Sequence, residues 1–175
     1  MIPEFKKILF TTDLSKNSHT AYYYALSLAS RYGAGITILH VMEEMSASSG
    51  ARLRDFIGDE RWDEIKESHE QEARQALIGK KREGSVIHQA LGDFAEQAHR
   101  DLDDRGIAVD EILVTRGNVV DEILQEAQNR QCDLIVMGYH VRGKLEEAIL
   151  GSTPRRLLRR CSIPIMLVRL PADGS

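Results

Sequence analysis

Two uninterrupted apolar runs, Leu134-Ile135-Val136-Met137 and Ile165-Met166-Leu167-Val168, constrain this chain more than any other feature. A strand with one wet face alternates apolar and polar residues. Continuous runs therefore belong to strands covered on both faces, as in a parallel sheet flanked by helices. Between the runs lie Gly138, a loop, and Gly151-Ser152-Thr153-Pro154 at the head of GSTPRRLLRRC. The segment reads as a buried strand, a glycine-marked turn, a helix and a second buried strand. Thr153 before Pro154 suits an N-cap followed by the first helical position. Glycine permits close backbone approach, and a helix start offers free N–H groups to an anion. These residues point to an α/β fold with an anion site, for phosphate in particular. Without a ligand, the same glycines turn the chain and Thr153 caps a helix.

Bulk properties narrow the class. The 175 residues amount to one ordinary domain by length, 42% hydrophobic and 29% charged, as in a soluble globular protein. No apolar run approaches the roughly 18 residues of a membrane span, and no signal peptide opens the chain, so a cytoplasmic location and no membrane partner are expected. Cys132 and Cys161 lack metal-ligand or redox spacing and sit beside apolar segments, which predicts buried free thiols. The net charge of −4 is unevenly spread. From Gly138 to Leu170, seven Lys or Arg face two Glu, whereas Glu43 to Arg105 holds ten basic and sixteen acidic residues. The basic stretch adjoins the anion loop, where positive potential assists phosphate. Arg159 and Arg160 instead suit the negative end of a helix dipole. No interleaved aromatics or helix-turn-helix pattern argue for nucleic acid.

Strands are predicted near Lys7–Thr12, Gly35–Val41, Ile107–Val114, Asp133–Gly138 and Ile163–Leu170, with helices between them. Asn17 or Ser18 caps the first helix and Gly33 ends it. Repeated strand-helix-strand crossovers generate a doubly wound sheet with helices on both faces. The interval from about 43 to 105 is long for one crossover. Trp62, Ile65, His69, Ala73, Ala76 and Leu77 form one helical stripe, and Ile87, Leu91, Phe94, Ala98 and Leu102 a second. Two amphipathic helices broken near Gly79 to Gly84 are predicted, with Lys80-Lys81-Arg82-Glu83 as a solvated turn. Because the interval leaves the carboxyl end of the second strand, the expected hairpin packs near Asp13 and Val41 and restricts access there. A protein partner docking on this interval is the other use of such stripes.

Gly138-Tyr139-His140-Val141, nine residues, then Gly151-Ser152-Thr153 resembles the nucleotide loop of the universal stress protein family, with pattern G-x2-G-x9-G-[ST]. The opening Phe5 to Ser15 resembles the family's first strand and terminal aspartate, Ala25 to Ala29 its first helix, and Gly35 to Val41 its second strand. Arg116 to Leu124 resembles the exit of the third strand and the helix after it. The resemblance covers most of residues 4–42 and 107–170. The interval from about 43 to 105 then counts as an insertion of about thirty residues within one family-like domain, since the family usually spends a single crossover helix there.

The resemblance implies a five-stranded parallel sheet of order 3-2-1-4-5. Ligands of doubly wound sheets bind where the winding reverses, here between the ends of the first and fourth strands. It further implies an adenine nucleotide, ATP or AMP, with Mg2+ assisting the phosphates. Asp13 would accept from ribose hydroxyls. Thr11, Thr12, Val41 and Met137 would line the adenine slot, with Gly138 beside it, and the Gly151, Ser152 and Thr153 amides would hold phosphate; His140 points either into the phosphate channel or out to solvent. Asp13 as a plain turn residue is the alternative. His40 reads as a strand-end packing residue. Val141 stands where the family has its second glycine. A β-branched residue at positive φ costs about 1–2 kcal/mol, and a lost charge-assisted hydrogen bond about 1.5–3 kcal/mol. Gly143, two residues on, is the position that would restore the backbone freedom.

No phosphate loop of the G-x-x-x-x-G-K-[ST] kind, no G-x-G-x-x-G, no G-x-S-x-G and no H-E-x-x-H occurs. At most slow ATP hydrolysis is expected, with Asp13 or His140 as base. The reading is a stress-response regulatory module that binds adenine nucleotide and forms a homodimer through the edge strand Ile163 to Leu170. The alternative is a degenerate, nucleotide-free dimerisation protein of the same fold.

Overall fold

The computed structural model describes residues 2–43, 54–65, 79–101, 109–140 and 150–171. The elements are β1 (Lys7–Thr12), α1 (His19–Tyr32), β2 (Gly35–Met42), α2 (Gly79–Asp101), β3 (Val109–Arg116), α3 (Val119–Asn129), β4 (Leu134–Tyr139), α4 (Ser152–Arg160) and β5 (Ile165–Arg169). A short helical segment spans 54–57 and 59–65. All pairings are parallel and the strand order is β3-β2-β1-β4-β5, as the resemblance implied. Pro164 has no N–H to donate, and β5 opens at Ile165 rather than at Ile163.

Strand periodicity divides the core in two. Ile8 and Phe10 of β1, Ile36 and Ile38 of β2 and Leu134 and Val136 of β4 face α1 and α2. Their odd-numbered neighbours Leu9, Leu39, Val41, Ile135 and Met137 face α3 and α4. Both faces are thus buried, which is why the strands read as apolar runs. Gly33 closes α1 at φ +65°, its N–H donating to the Ala29 carbonyl. Cys132 and Cys161 are free thiols. Burial pushes the Cys132 thiol up to about 11, so it stays protonated near neutrality. Cys161 is only half-buried.

The long crossover differs from expectation. The helix α2 opens at Gly79 and runs through Gly84, so Lys80 to Glu83 are helical rather than a turn. A helical glycine costs about 1 kcal/mol against alanine, which the docking of Ile87, Ala90, Leu91, Ala95 and Ala98 at helical spacing offsets. Residues 66–78 and Leu102 lie outside the described residues. Phe56 stacks on His19 with ring centroids 4.4 Å apart and meets Phe94 at 4.8 Å. The described part of the interval therefore packs into the α1 side of the core rather than over the strand ends near Asp13 and Val41. Large apolar groups bury more area there than at a polar cleft rim.

Tyr22 is fully buried in this core between Phe10 and Phe94, and its hydroxyl has no hydrogen-bond partner among the described residues. Leaving a buried hydroxyl unpaired costs about 1–3 kcal/mol, so Tyr22→Phe is expected to stabilise the fold by about 1 kcal/mol in denaturant titration at neutral pH. Burial also pushes the phenol up. The unfolded chain ionises this group near its ordinary value of about 10, while the folded chain keeps it neutral. The contribution is complete below that pH and is lost as pH rises above it. Tyr22→Phe is expected to reduce the alkaline loss of stability.

Candidate functional site

A cleft of about 350 Å³ opens at the carboxyl ends of β1, β2 and β4, at the reversal of strand order between β1 and β4. Its apolar wall joins Leu39, Val41 and Met137 of the sheet to Val119 and Ile123 of α3. None of the described residues of 54–65 or of α2 lines it.

The β1–α1 loop shapes one wall. Asp13 Oδ1 accepts from the Ser15 N–H at 2.9 Å, an Asx turn that fixes the carboxylate at the mouth. The turn reading of Asp13 and the ligand reading are compatible, since a carboxylate has a second oxygen to offer. Thr12 Oγ1 accepts from the Leu14 N–H at 3.0 Å and donates to Ser18 Oγ at 3.2 Å, so this hydroxyl holds the loop. Ser18 Oγ donates in turn to the Ser15 carbonyl at 2.8 Å. Ser18 therefore precedes α1 without capping it through its side chain. Between these bonds Leu14 is 1% exposed with φ +59°, a left-handed conformation that costs a non-glycine residue about 1–2 kcal/mol. Thr11, one residue before Thr12, is paired with Leu39 and Met137 across the sheet and lines the cleft beside them.

The opposite wall comes from β4 and α4. The strand β4 continues through Gly138 to Tyr139, so Gly138 lies within the strand, as the predicted strand Asp133–Gly138 has it, and the chain turns beyond it. A Cβ there would lie 2.7–2.9 Å from three side-chain atoms of Leu170, so packing between β4 and β5 demands the glycine. Its backbone still borders the cleft. Gly151 differs. Its φ of −54° suits any residue, and among the described residues a Cβ would meet nothing closer than Pro154 Cδ at 3.7 Å. Neither the backbone there nor its described neighbours require glycine, and Gly151 borders the cleft.

Helix α4 begins at Ser152, which puts Gly151 rather than Thr153 at the N-cap position. Pro154 falls in the first turn, where its missing N–H is one that helix geometry leaves unpaired anyway. The first-turn N–H groups of Ser152 and Thr153 are consequently the donors available to an anion, aided by the helix dipole. Arg160 at the other end pairs with Asp121 at 2.7 Å, which ties α4 to α3 rather than serving the cleft. Val141 and Gly143 lie outside the described residues.

His140 follows β4 and lines the cleft, its Nε2 3.2 Å from Ser15 Oγ. Of the residues named from sequence, Thr11, Thr12, Asp13, Val41, Met137, Gly138, His140, Gly151, Ser152 and Thr153 all border this one cleft. Sequence reasoning missed His40. Its Nδ1–H donates to the Thr12 carbonyl at 2.9 Å, and it borders the cleft as well as packing the strand end. The parallel register pairs His40 with Thr12, so any argument placing the end of β1 at the site also places His40 there. Val119 and Ile123 were missed too. Asn118 caps α3 by accepting from the Val120 and Asp121 N–H groups, which aims that helix start toward the cleft.

Among the described residues no group of three or more His, Cys, Asp or Glu is placed to hold a metal ion, and no helix is long and apolar enough to cross a membrane. The sheet order, crossover helices and cleft at the β1/β4 reversal define a doubly wound α/β protein with a cleft at its switch point. The universal stress protein family model matches residues 4–169, and the chain belongs to that family. It is 24% identical over 165 residues to the universal stress protein MJ0577 of Methanocaldococcus jannaschii, covering 94% of this chain and 95% of that protein. Its fold matches a universal stress protein solved in complex with cAMP, at TM-score 0.58 and 20% identity, covering 97% of this chain and all of that one. It also matches an Arabidopsis thaliana family member solved with AMP bound, at TM-score 0.54 and 19% identity, covering 96% and 94% of the two chains.

Proposed function

We propose that this protein is a regulatory module of the stress response that binds an adenine nucleotide, ATP or AMP, in the β1/β4 cleft. The observation that carries the reading is one cleft bounded by an acceptor carboxylate at Asp13, an apolar slot at Val41 and Met137, and the bare backbone of Gly151 ahead of the Ser152 and Thr153 amides. Those groups suit ribose hydroxyls, a base and phosphate respectively. The cAMP and AMP complexes of two proteins of this fold support the same ligand class. Because the described residues hold no metal-binding cluster, Mg2+ would enter on the nucleotide's phosphates. Thermal unfolding tests the reading. Ligand at a hundred times its dissociation constant adds about 2.7 kcal/mol, and at about 2–4 °C per kcal/mol for this size the midpoint rises several degrees. An unchanged midpoint in millimolar ATP, ADP and AMP would favour the nucleotide-free alternative.

A homodimer through β5 accompanies this reading. The strand lies at the sheet edge with Ile165, Met166 and Leu167 only half-buried, a hydrophobic edge that a second copy would cover. Light scattering is expected to give twice the chain mass; a monomer at all concentrations would exclude the dimer.

A further inference from the structure

We propose that His19 is a positioning residue for the nucleotide cleft, the joint through which the helical segment 54–65 holds the β1–α1 loop and its Asp13 in place. The proposal rests on the nucleotide reading above and adds that affinity is set partly from outside the cleft.

His19 is the first residue of α1 and does not itself line the cleft. Two aromatic rings from the long crossover enclose its side chain. Phe56 stacks on it with centroids 4.4 Å apart and planes 23° from parallel, and Phe94 of α2 lies 4.7 Å away. Phe56 is 3% exposed, so the stack is a buried anchor for the segment. Burial lowers the His19 pKa, and main-chain hydrogen bonding to Phe56 and Lys16 only partly offsets this, so the ring is neutral at pH 7. The imidazole thus lies between the segment and the loop.

From that ring the cleft is one residue away. Ser18, directly before His19, is 2% exposed and lines the cleft. Its N–H and its Oγ both donate to the Ser15 carbonyl, and Oγ also accepts from Thr12 Oγ1. These bonds close the loop around the left-handed Leu14, and Asp13 is fixed within it by the Ser15 N–H. A backbone in a sparsely populated conformation persists only where its surroundings over-determine it. The stack on His19 supplies that restraint from the core side. A loop ordered in advance spares the ligand the cost of ordering it, which raises affinity. By linkage, nucleotide in the cleft also holds 54–65 more firmly on α1.

The test titrates the full-length protein and its variants with ATP and Mg2+ by calorimetry, and follows hydrogen exchange in the same proteins without ligand. His19→Ala and Phe56→Ala are each expected to weaken ATP at least about 5-fold. His19→Phe, which keeps an aromatic ring for the stack, is expected to restore most of the affinity. Ile36→Val, in the same core at the far end of β2 from the cleft, controls for mere destabilisation and is expected to bind as wild type. In an Asp13→Ala background, His19→Ala is expected to change affinity by less than about 2-fold, because the loop no longer carries the carboxylate. The Leu14, Ser15 and Ser18 amides, each bonded within the loop, are expected to exchange faster in His19→Ala and Phe56→Ala. Circular dichroism melts establish that each variant is folded. Wild-type affinity in His19→Ala and Phe56→Ala, unchanged exchange of the loop amides, an equal loss in Ile36→Val, or a full additional loss in the Asp13→Ala background overturns the proposal and leaves the nucleotide reading intact. Absence of ATP binding by the wild type overturns both.

Discussion

Gly138→Ala is expected to destabilise the fold by about 1–3 kcal/mol, the usual cost of forcing a methyl group into a packed core. The new Cβ would lie 2.7 Å from Leu170 Cδ1 and 2.9 Å from its Cγ, well inside contact distance. The Leu170 side chain is 4% exposed, so it has no solvent-facing rotamer to adopt without leaving the core. At about 2–4 °C per kcal/mol the midpoint drops by several degrees. Leu170→Ala also destabilises, by cavity formation. The double variant is therefore expected to be less destabilised than the sum of the two, because the added methyl then occupies vacated space. Thermal melts of the four proteins measure the coupling. Additive losses would show that Gly138 is required for some reason other than Leu170.

Gly151→Val is expected to do the opposite: to spare the fold and abolish much of the binding. At φ −54° and ψ 164° the backbone accepts a β-branched residue, and among the described residues only Pro154 lies within 4 Å of the added Cβ. The fold loses no more than about 1 kcal/mol, since valine is a poorer N-cap residue than glycine. The side chain instead occupies the space before the Ser152 and Thr153 amides. Losing a charge-assisted contact there costs about 1.5–3 kcal/mol, roughly 10- to 150-fold in affinity. Calorimetry on a folded variant checks this; affinity equal to wild type would move the phosphates away from α4. The two glycines were indistinguishable in the sequence, and their separate roles depend on what lies across from each.

The sheet was legible because its inner strands are buried on both faces, and burial writes itself into Ile8 to Phe10 and Leu134 to Met137 as unbroken apolar runs. Strand order followed from resemblance, and the site followed from strand order. Where reasoning was local it was weaker. Thr153 before Pro154 looked like a cap, yet a helix tolerates proline anywhere in its first turn, and α4 starts one residue before Thr153. Lys80 to Gly84 looked like a turn, yet helix propensity is a modest term against the burial of Ile87, Leu91 and Ala98, and these residues are helical. The placement of Phe56 and Ile65 against α1 rather than over the cleft was not legible, because a helical stripe reports that a face is buried and not against what. His140 opposite Ser15 is likewise a long-range contact across 125 positions, which no local pattern encodes.

Calorimetric titration of the purified protein with ATP and with AMP, in the presence of Mg2+, addresses the central claim most directly. Saturable binding is expected at one site per chain, with the two nucleotides competing and with Asp13→Ala weakening both. No heat with either nucleotide at millimolar concentration, or binding indifferent to Asp13→Ala, would contradict an adenine-nucleotide site at the β1/β4 cleft.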